Sequence, residues 1–316
     1  MDLKTVVERT EAIQHEVERA VIGKSDVVHR VLVAILAGGH VLFEDVPGLA
    51  KTLLARSLAT TLGISFNRIQ FTPDLLPSDI TGSHLFDRQR GEFTLSLGPI
   101  FANVVLADEI NRATPKTQSA LLEGMQEGQV TIDGETHPLP QPFIVIATQN
   151  PIEYEGTFPL PEAQLDRFMV RLSVGYPDPK SEAEILRRRR ERRQDEVLLS
   201  PVSHAGELLA MRDAVEGILV DPDVERYIVA LVGRTRNDPN VQVGASPRGS
   251  LALLKLARAE AALAGRDYTL PDDVKAFAVP ALAHRLILSP ELWSKRITST
   301  AIVEGILRSV AVPKAD

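Results

Sequence analysis

Hydrophobic positions in the first two thirds of the chain follow two different periods. The runs from Leu3 to Val21 and from Asp26 to Leu36 have the spacing of amphipathic helices. Shorter apolar runs are typical of buried strands, and they lie at 40–43, 65–71, 103–107, 143–148 and 168–174. Helical or loop segments separate these runs. This alternation predicts an α/β fold in which crossover helices flank a parallel sheet.

Two short alternating runs do not fit that rhythm. One spans Glu92 to Leu97 and follows the Arg90-Gly91 turn. The other spans Gln129 to Ile132 and is answered by residues 136–139 across Asp133-Gly134. Asp-Gly between alternating segments is a strong hairpin signal. We therefore expect β-hairpins inserted into the connections of the sheet.

The strand pattern ends at residues 175–179, and the pattern from Lys180 onward is helical. Pairs such as Asp221-Pro222 and Ser246-Pro247 are typical of helix N-termini. Further breaks occur at Ser200-Pro201, Asp238-Pro239, Leu270-Pro271 and Ser289-Pro290. We predict an α/β part over 1–179, a linker helix over 180–199 and a small helical domain over 200–316.

Composition and charge exclude several classes of protein. Hydrophobic residues make up 44% of the 316 residues and charged residues 24%, which excludes disordered, collagen-like and coiled-coil chains. The longest uncharged apolar stretch, 31–43, is shorter than the ~20 residues of a membrane helix, and no export signal is visible, so we expect a cytoplasmic protein. A net charge of −7 opposes nucleic-acid binding over the whole surface. The absence of cysteine excludes disulfides, thiolate metal sites and cysteine nucleophiles.

The loop from Asp45 to Thr52 joins a predicted strand to a predicted helix and partly matches a phosphate-binding loop. Lys51 and Thr52 agree with the end of the motif G-x-x-x-x-G-K-[ST], whereas Asp45 and Ala50 replace its two outer glycines. A lysine here attracts the β- and γ-phosphates of a nucleotide, and a threonine hydroxyl can ligate Mg²⁺. Gly48 still provides a flexible turn. On this loop alone, lowered nucleotide affinity or an ordinary strand–helix turn are alternatives.

Two further strand ends favour nucleotide hydrolysis. The run 103–107 ends at the adjacent carboxylates Asp108 and Glu109, of which the first would hold Mg²⁺ and the second would polarise the attacking water. The run 143–148 is followed by polar amides that include Asn150. Because the carboxyl ends of parallel strands line the ligand crevice, these ends together predict an NTPase.

Longer strings of residues resemble the MoxR family of AAA+ ATPases, and the resemblance extends over nearly the whole chain. The strings are Asp108–Glu123, Met125–Glu127, Ala147–Pro151 and Pro159–Phe168. The resemblance implies an AAA+ core with a C-terminal helical lid, ATP and Mg²⁺ as cofactors, and a homo-oligomeric ring that is usually a hexamer. It also implies a chaperone-like role in activating client protein complexes, often with von Willebrand factor A domain partners.

The same resemblance implies roles for individual residues. Lys51 and Thr52 match Walker A, Asp108 and Glu109 match Walker B, and Asn150 matches sensor 1. Residues expected to contact the nucleotide, with Gly23 on the adenine side, are Gly23, Val46, Pro47, Gly48, Leu49, Ala50, Lys51 and Thr52. Magnesium would be held by Thr52 and Asp108.

Two arginines would complete the site. Arg167 matches the arginine finger that reaches the γ-phosphate of the neighbouring subunit, and Arg248 matches sensor 2 on the lid. Ser246 would cap the helix that carries Arg248. The alternatives are a salt bridge between Arg167 and Asp166 or another acid nearby, and a plain surface position for Arg248.

Other features keep alternative functions open. The runs 92–97 and 129–139 resemble the helix-2 insert and the pre-sensor hairpin of the AAA+ branch that includes magnesium chelatases and MCM helicases. A chelatase-like or helicase-like motor is therefore one alternative, and a nucleotide-gated scaffold with little turnover is another. The basic run Arg187–Arg193 would be a solvated or acid-paired helix face, or else a nucleic-acid contact. We expect no nucleic-acid partner, and Trp293 is expected to pack in the lid.

Overall fold

The structure is a computed structural model that describes residues 1–89, 91–151, 156–291 and 297–313. In chain order, its first elements are α1 (Leu3–Glu18), α2 (Ser25–Leu36), β1 (Val41–Glu44), α3 (Lys51–Thr61), β2 (Phe66–Gln70), α4 (Pro77–Thr81), β3 (Gly82–Asp87), β4 (Glu92–Leu97), β5 (Val104–Asp108), α5 (Pro115–Glu127), β6 (Gln129–Ile132), β7 (Glu135–Pro138), β8 (Ile144–Gln149), α6 (Glu162–Leu165) and β9 (Val170–Leu172).

Helices dominate the remainder of the chain. These elements are α7 (Pro179–Arg192), α8 (Ala205–Glu216), α9 (Pro222–Arg236), β10 (Val241–Val243), α10 (Pro247–Leu263), α11 (Pro271–Leu282), β11 (Ile287–Leu288) and α12 (Ser299–Ser309). We refer to the elements from α8 to α12 as the lid. Trp293, which we expected to pack there, lies outside the described residues.

A five-stranded parallel sheet in the order β2-β5-β8-β1-β9 forms the centre of the molecule. Strand β5 is buried at every position, and β8 at every position but its last. Continuous apolar runs are characteristic of parallel strands covered on both faces by helices. The predicted parallel sheet is therefore confirmed.

The apolar faces of the sheet contribute to two hydrophobic clusters. One cluster extends from α1 and α2 through one face of the sheet into the lid helices. The other lies on the opposite face, between the sheet, α5 and the β6–β7 hairpin. Because the lid shares the first cluster, it packs against the sheet-bearing part of the chain.

Both predicted hairpins are confirmed. Strand β4 pairs with β3, and β6 pairs with β7, each in antiparallel register. His84 Nδ1 on β3 lies 2.7 Å from the carboxylate of Asp133 in the β6–β7 turn, so a hydrogen bond joins the two hairpins. At the tip of the first hairpin, the rings of Phe86 and Phe93 stack edge to face with centroids 5.3 Å apart.

The lid departs from the predicted pattern in two respects. Helices α9, α10 and α11 begin at predicted prolines, with Asp221, Ser246 and Leu270 in the preceding cap positions. The breaks at Ser200-Pro201 and Asp238-Pro239, however, are not helix starts, because α8 begins after His204 and residues 238–240 lead into β10. Strands β10 and β11 form a two-stranded sheet that a purely helical prediction missed, since strands this short contain no alternating pattern.

Among the residues that the structure describes, none of the helices is long and apolar enough to cross a membrane.

Candidate functional site

A cavity of about 280 Å³ lies at the carboxyl edge of the sheet, where β1, β5 and β8 end. One wall is the loop between β1 and α3, and the other walls are polar side chains from strand ends. The lining residues are Pro47, Gly48, Leu49, Ala50, Lys51, Thr52, Arg68, Asp108, Glu109, Thr148 and Asn150. The structure thus brings most of the predicted nucleotide-contacting residues to one place.

Backbone carbonyls of the loop hold the ammonium group of Lys51. Its Nζ donates to the carbonyl oxygens of Asp45 at 2.9 Å and Val46 at 3.0 Å. Burial lowers the pKa of the Lys51 ammonium, and the nearby charges of Asp45, Asp108 and Glu109 raise it. Val46 therefore contributes its carbonyl to the lysine, and the ammonium is positioned to exchange these carbonyls for phosphate oxygens.

The loop achieves its shape with two residues in the left-handed region. Gly48 has φ +84° and Ala50 has φ +58°. For alanine this conformation costs about 1–2 kcal/mol, so Ala50 is strained where the common motif has glycine. Ala50 directly precedes α3, and the N-terminus of a helix presents backbone N–H groups and a positive dipole end to an anion. The loop thus makes a tight turn in front of the helix N-terminus at the expense of local strain.

The carboxylate of Asp45 is turned toward the end of β9. It accepts hydrogen bonds from Ser173 Oγ at 2.9 Å, from the backbone N–H of Val174, and from that of Gly175 at 3.3 Å. The carboxylate of Asp45, which stands where the common motif has a glycine, therefore ties the loop to the segment after β9.

Asp108 lies at the centre of a polar network. Its Oδ2 accepts from Nε and Nη2 of Arg68 at 3.0 and 2.7 Å, and its Oδ1 accepts from Thr148 Oγ1 at 2.6 Å. Thr148 Oγ1 in turn accepts from the backbone N–H of Glu109 at 2.8 Å. Sequence reasoning missed Arg68 and Thr148 as site residues. Thr148 stands at an end of a predicted strand, whereas Arg68 becomes a candidate only once β2 is known to pair with β5.

Glu109 follows β5 in a strained left-handed conformation, with φ +57°. Its Oε2 accepts from Gln70 Nε2 at 2.8 Å and from Arg112 Nη1 at 3.0 Å. Strain of this kind persists where the surroundings fix the backbone, and it concentrates at functional sites. The carboxylate is thus held at the mouth of the cavity by two donors that a reorientation would release.

The donors in the cavity fit a magnesium ion accompanied by phosphate. Thr52 offers a hydroxyl and Asp108 a carboxylate, while the buried Asn150 adds a side-chain amide beside them. Oxygen ligands of this kind, completed by water and phosphate, are what Mg²⁺ prefers. Arg68 shares Asp108 with any such ion, so the two cations compete for one carboxylate.

Arg167 and Arg248 line a second cavity, of about 350 Å³. Gly39 also lines it just before β1, and Met169 just before β9, so this cavity lies at the amino edge of the sheet. The predicted arginine finger and sensor 2 are therefore brought together, but at the opposite edge from Lys51.

Arg167 is not paired with Asp166, whereas Arg248 does occupy an exposed position on its helix, which was the alternative for that residue. Asp166 is paired with Arg285 at 2.7 Å, and Arg167 Nε donates to Gln126 Oε1 at 3.2 Å. Arg248 is half-exposed on the first turn of α10, with its Nη1 4.0 Å from Asp166 Oδ2. The roles of both residues in hydrolysis stay predictions.

Gly23 is not among the residues that line the first cavity, and it packs against Ser181 at the start of α7. It has φ +70°, and a β-carbon there would collide with the Ser181 side chain. The glycine is required by this close approach. Its predicted place beside the adenine stays a prediction.

Three arginines of the basic run on α7 are paired with acids. Arg187 pairs with Glu184 and Glu191, Arg188 with Glu184, and Arg189 with Asp195. These pairs agree with an acid-paired helix face for these three arginines, and the expected absence of a nucleic-acid contact stays a prediction.

Comparison with known proteins identifies relatives over nearly the whole chain. Residues 40–170 match the model of the ATPase family associated with various cellular activities (AAA), and residues 233–306 match the AAA lid domain. The chain is 50% identical to YeaC of Bacillus subtilis over 96% of this chain and 94% of YeaC. It is 45% identical to chaperone MoxR1 of Mycobacterium tuberculosis over 95% of this chain and 81% of MoxR1. A crystal structure from Cytophaga hutchinsonii superposes with a TM-score of 0.92 at 42% identity, covering 99% of this chain and 97% of that one.

Proposed function

Because the chain belongs to the MoxR family of AAA+ ATPases, we propose that it binds ATP in the cavity at the carboxyl edge and hydrolyses it with an arginine from a neighbouring protomer. The observation that carries this proposal is the position of Arg167 and Arg248 at the amino edge, opposite Lys51. Side chains at that edge reach a phosphate only where a second copy of the chain presents its carboxyl edge to them.

Within one protomer, binding would begin at the loop. Lys51 would exchange the carbonyls of Asp45 and Val46 for the β- and γ-phosphates, and the N–H groups of residues 48–52 would bind phosphate oxygens. Thr52 and Asp108 would hold Mg²⁺, which when bound neutralises charge on the phosphates. These residues supply affinity and alignment.

Hydrolysis would depend on Glu109 and on the neighbour. Glu109 would break its hydrogen bonds with Gln70 and Arg112, and its carboxylate would then orient and polarise the attacking water. Asn150 would fix that water or the γ-phosphate. Arg167 of the adjoining protomer would stabilise the charge that develops on the transferred phosphoryl group. Arg248, on the lid of that same adjoining protomer, would assist Arg167. A site divided in this way requires a homo-oligomer, and we propose a hexameric ring.

We further propose that the ring remodels a protein client and not a nucleic acid. Arg187, Arg188 and Arg189 of α7 are paired with acids, and the β6–β7 hairpin carries Asp133 and Glu135. By contrast, the β3–β4 hairpin exposes Phe86 at 55% and Phe93 at 69%, which suits apolar contact with a protein. A von Willebrand factor A domain protein is the partner class that the family resemblance suggests. A cytoplasmic location stays a prediction.

Two variants test the site assignment. Lys51→Ala removes the ammonium and should abolish ATP binding, whereas Glu109→Gln keeps shape and should bind ATP but lose hydrolysis. Equilibrium binding of a fluorescent ATP analogue and phosphate release measure the two quantities separately. Hydrolysis by Glu109→Gln at the parental rate would contradict the proposal.

Turnover in the presence of candidate partners tests the client class. Single-stranded and duplex DNA should leave ATP turnover unchanged at low salt, whereas a cognate von Willebrand factor A domain protein should alter it. Stimulation by DNA that fades with salt and is lost on replacing Arg188, Arg189 and Arg192 would instead favour a helicase-like motor.

A further inference from the structure

The segment that carries Arg167 is held by an arginine of the lid. Arg285, which follows α11, donates from Nε to Asp166 Oδ1 at 2.7 Å. Its Nη2 donates to the carbonyls of Asp166 at 3.1 Å and Phe168 at 2.8 Å, and its Nη1 to that of Met169 at 3.2 Å. These acceptors lie on both sides of Arg167 in the chain. Arg285 therefore fixes the backbone from which Arg167 projects.

The same carboxylate holds the first turn of α10. Asp166 Oδ2 accepts from Ser246 Oγ at 3.0 Å and lies 4.0 Å from Arg248 Nη1. Ser246 also caps the helix by accepting the backbone N–H of Arg248 at 3.1 Å. One aspartate thus connects the segment of Arg167 to the helix turn that carries Arg248.

The paired side chains of Arg285 and Asp166 are both largely removed from solvent. The Arg285 side chain is 3% exposed and that of Asp166 is 18% exposed, so each charge depends on the other. A planar guanidinium can serve a carboxylate and several carbonyls together, which a lysine ammonium cannot do in the same geometry. With Arg285 neutralised by Asp166, the positive charge presented by this cavity comes from Arg167, Arg248 and Lys255.

We propose that Arg285 and Asp166 are positioning residues through which the lid of one protomer sets the geometry of Arg167, and thereby the rate of ATP hydrolysis in the next protomer. This rests on the proposed function, because it needs Arg167 to act on the neighbour's nucleotide. It adds that coupling runs from the lid of one protomer to the nucleotide site of the next. A shift of the lid moves α10 and the segment after α11, and Arg285 transmits that shift to the arginine offered to the adjoining site.

The test uses variants that keep size and hydrogen bonding. Arg285→Lys keeps the charge but loses the planar fork, and Asp166→Asn keeps the shape but loses the charge. The matched control is Glu207→Gln, which breaks another ion pair between the lid and the rest of the chain, from Glu207 on α8 to Arg9 on α1 at 2.8 Å. Each is measured for kcat, KM for ATP and thermal melting, alone and combined with Arg167→Ala.

Arg285→Lys should lower kcat by about 10-fold to 100-fold, the range expected when a catalytic group is displaced by ~1 Å, while KM and melting match those of Glu207→Gln. In the Arg167→Ala background it should cause no further loss. Lys51→Ala subunits carry an intact Arg167 and an intact Arg285. Mixing them with Arg285→Lys subunits should therefore restore turnover. If Arg285→Lys does not fold, Asp166→Asn is expected to give the same pattern.

Three results would overturn the proposal. The first is a kcat equal to that of Glu207→Gln. The second is an equal further loss in the Arg167→Ala background. The third is absence of rescue by Lys51→Ala subunits when these do rescue Arg167→Ala. Parental hydrolysis by Arg167→Ala would instead overturn the proposed function on which the role of Arg285 and Asp166 rests.

Discussion

At the carboxyl edge of the sheet, most of the charged residues come from strand ends and from the loop after β1, whereas at the amino edge they come from three distant segments. Lys51, Asp108 and Glu109 each stand within a short motif. Arg167, Arg248 and Arg285 are separated by long stretches of chain and meet only because the lid packs beside the start of β9. The first edge has an arrangement suited to binding a nucleotide, and the second has one suited to reaching a nucleotide bound elsewhere.

The two edges should therefore respond differently to substitution. Arg167→Ala should bind ATP with near-normal affinity and lose most turnover, with ~10³-fold to 10⁵-fold as the range known for arginine fingers. Lys51→Ala, at the other edge, should lose the affinity itself. Isothermal titration with a slowly hydrolysed analogue and steady-state phosphate release separate these effects. A large loss of affinity in Arg167→Ala would remove the distinction between the edges.

Arg248→Ala sharpens the comparison within the amino edge. It should lower turnover by about 10-fold to 100-fold with little change in affinity, because the residue is half-exposed and would assist Arg167. Lys275→Ala is the matched control, since it removes a lid cation paired to Asp272 outside both cavities. Loss of affinity in Arg248→Ala would mean that the lid arginine binds the nucleotide of its own protomer.

At the carboxyl edge, Arg68→Ala should lower the Mg²⁺ concentration needed for half-maximal hydrolysis. Arg68 competes for Asp108, and a pair in which the arginine is 47% exposed contributes only ~0.5–1 kcal/mol, which corresponds to about twofold to fivefold. Arg171→Ala, which breaks the pair with Glu44 on β1, controls for a general change in charge. An increased Mg²⁺ requirement in Arg68→Ala would show that this arginine helps to hold the phosphates.

The smallest expected effect concerns Ala50. Ala50→Gly relieves a left-handed alanine and should raise the free energy of unfolding by roughly 0.5–1 kcal/mol. Ala210→Gly in α8 should lower it by about the same amount, because glycine is unfavourable within a helix. Urea denaturation measures whether each substitution raises or lowers the free energy of unfolding. Equal destabilisation by both substitutions would show that the loop conformation is not strained.

Sequence patterns predicted the parts of the molecule in which local signals agree. The buried strands 103–107 and 143–148, the Asp133-Gly134 hairpin and the Ser246-Pro247 helix start all have short-range causes, and the structure confirms them. The prediction of a nucleotide cavity around Lys51 depended on the same strand ends.

What the sequence could not predict depends on contacts between distant segments. Arg68 joins the site because β2 pairs with β5. Asp166 forms an ion pair with Arg285 because the lid packs beside the start of β9. The direction of the Asp45 carboxylate, toward Ser173 and the backbone after β9, has the same origin. None of these contacts leaves a periodic or motif-like signal in the chain.

The most direct test of the account is the ATPase activity of rings mixed from two inactive variants, Arg167→Ala and Lys51→Ala. In such rings, some interfaces join an intact Lys51 cavity of one protomer to an intact Arg167 of the next. The account predicts that turnover, absent in either variant alone, returns on mixing and rises with the fraction of such interfaces. Mixed assembly verified by native mass spectrometry, without any recovery of turnover, would contradict a site shared between protomers.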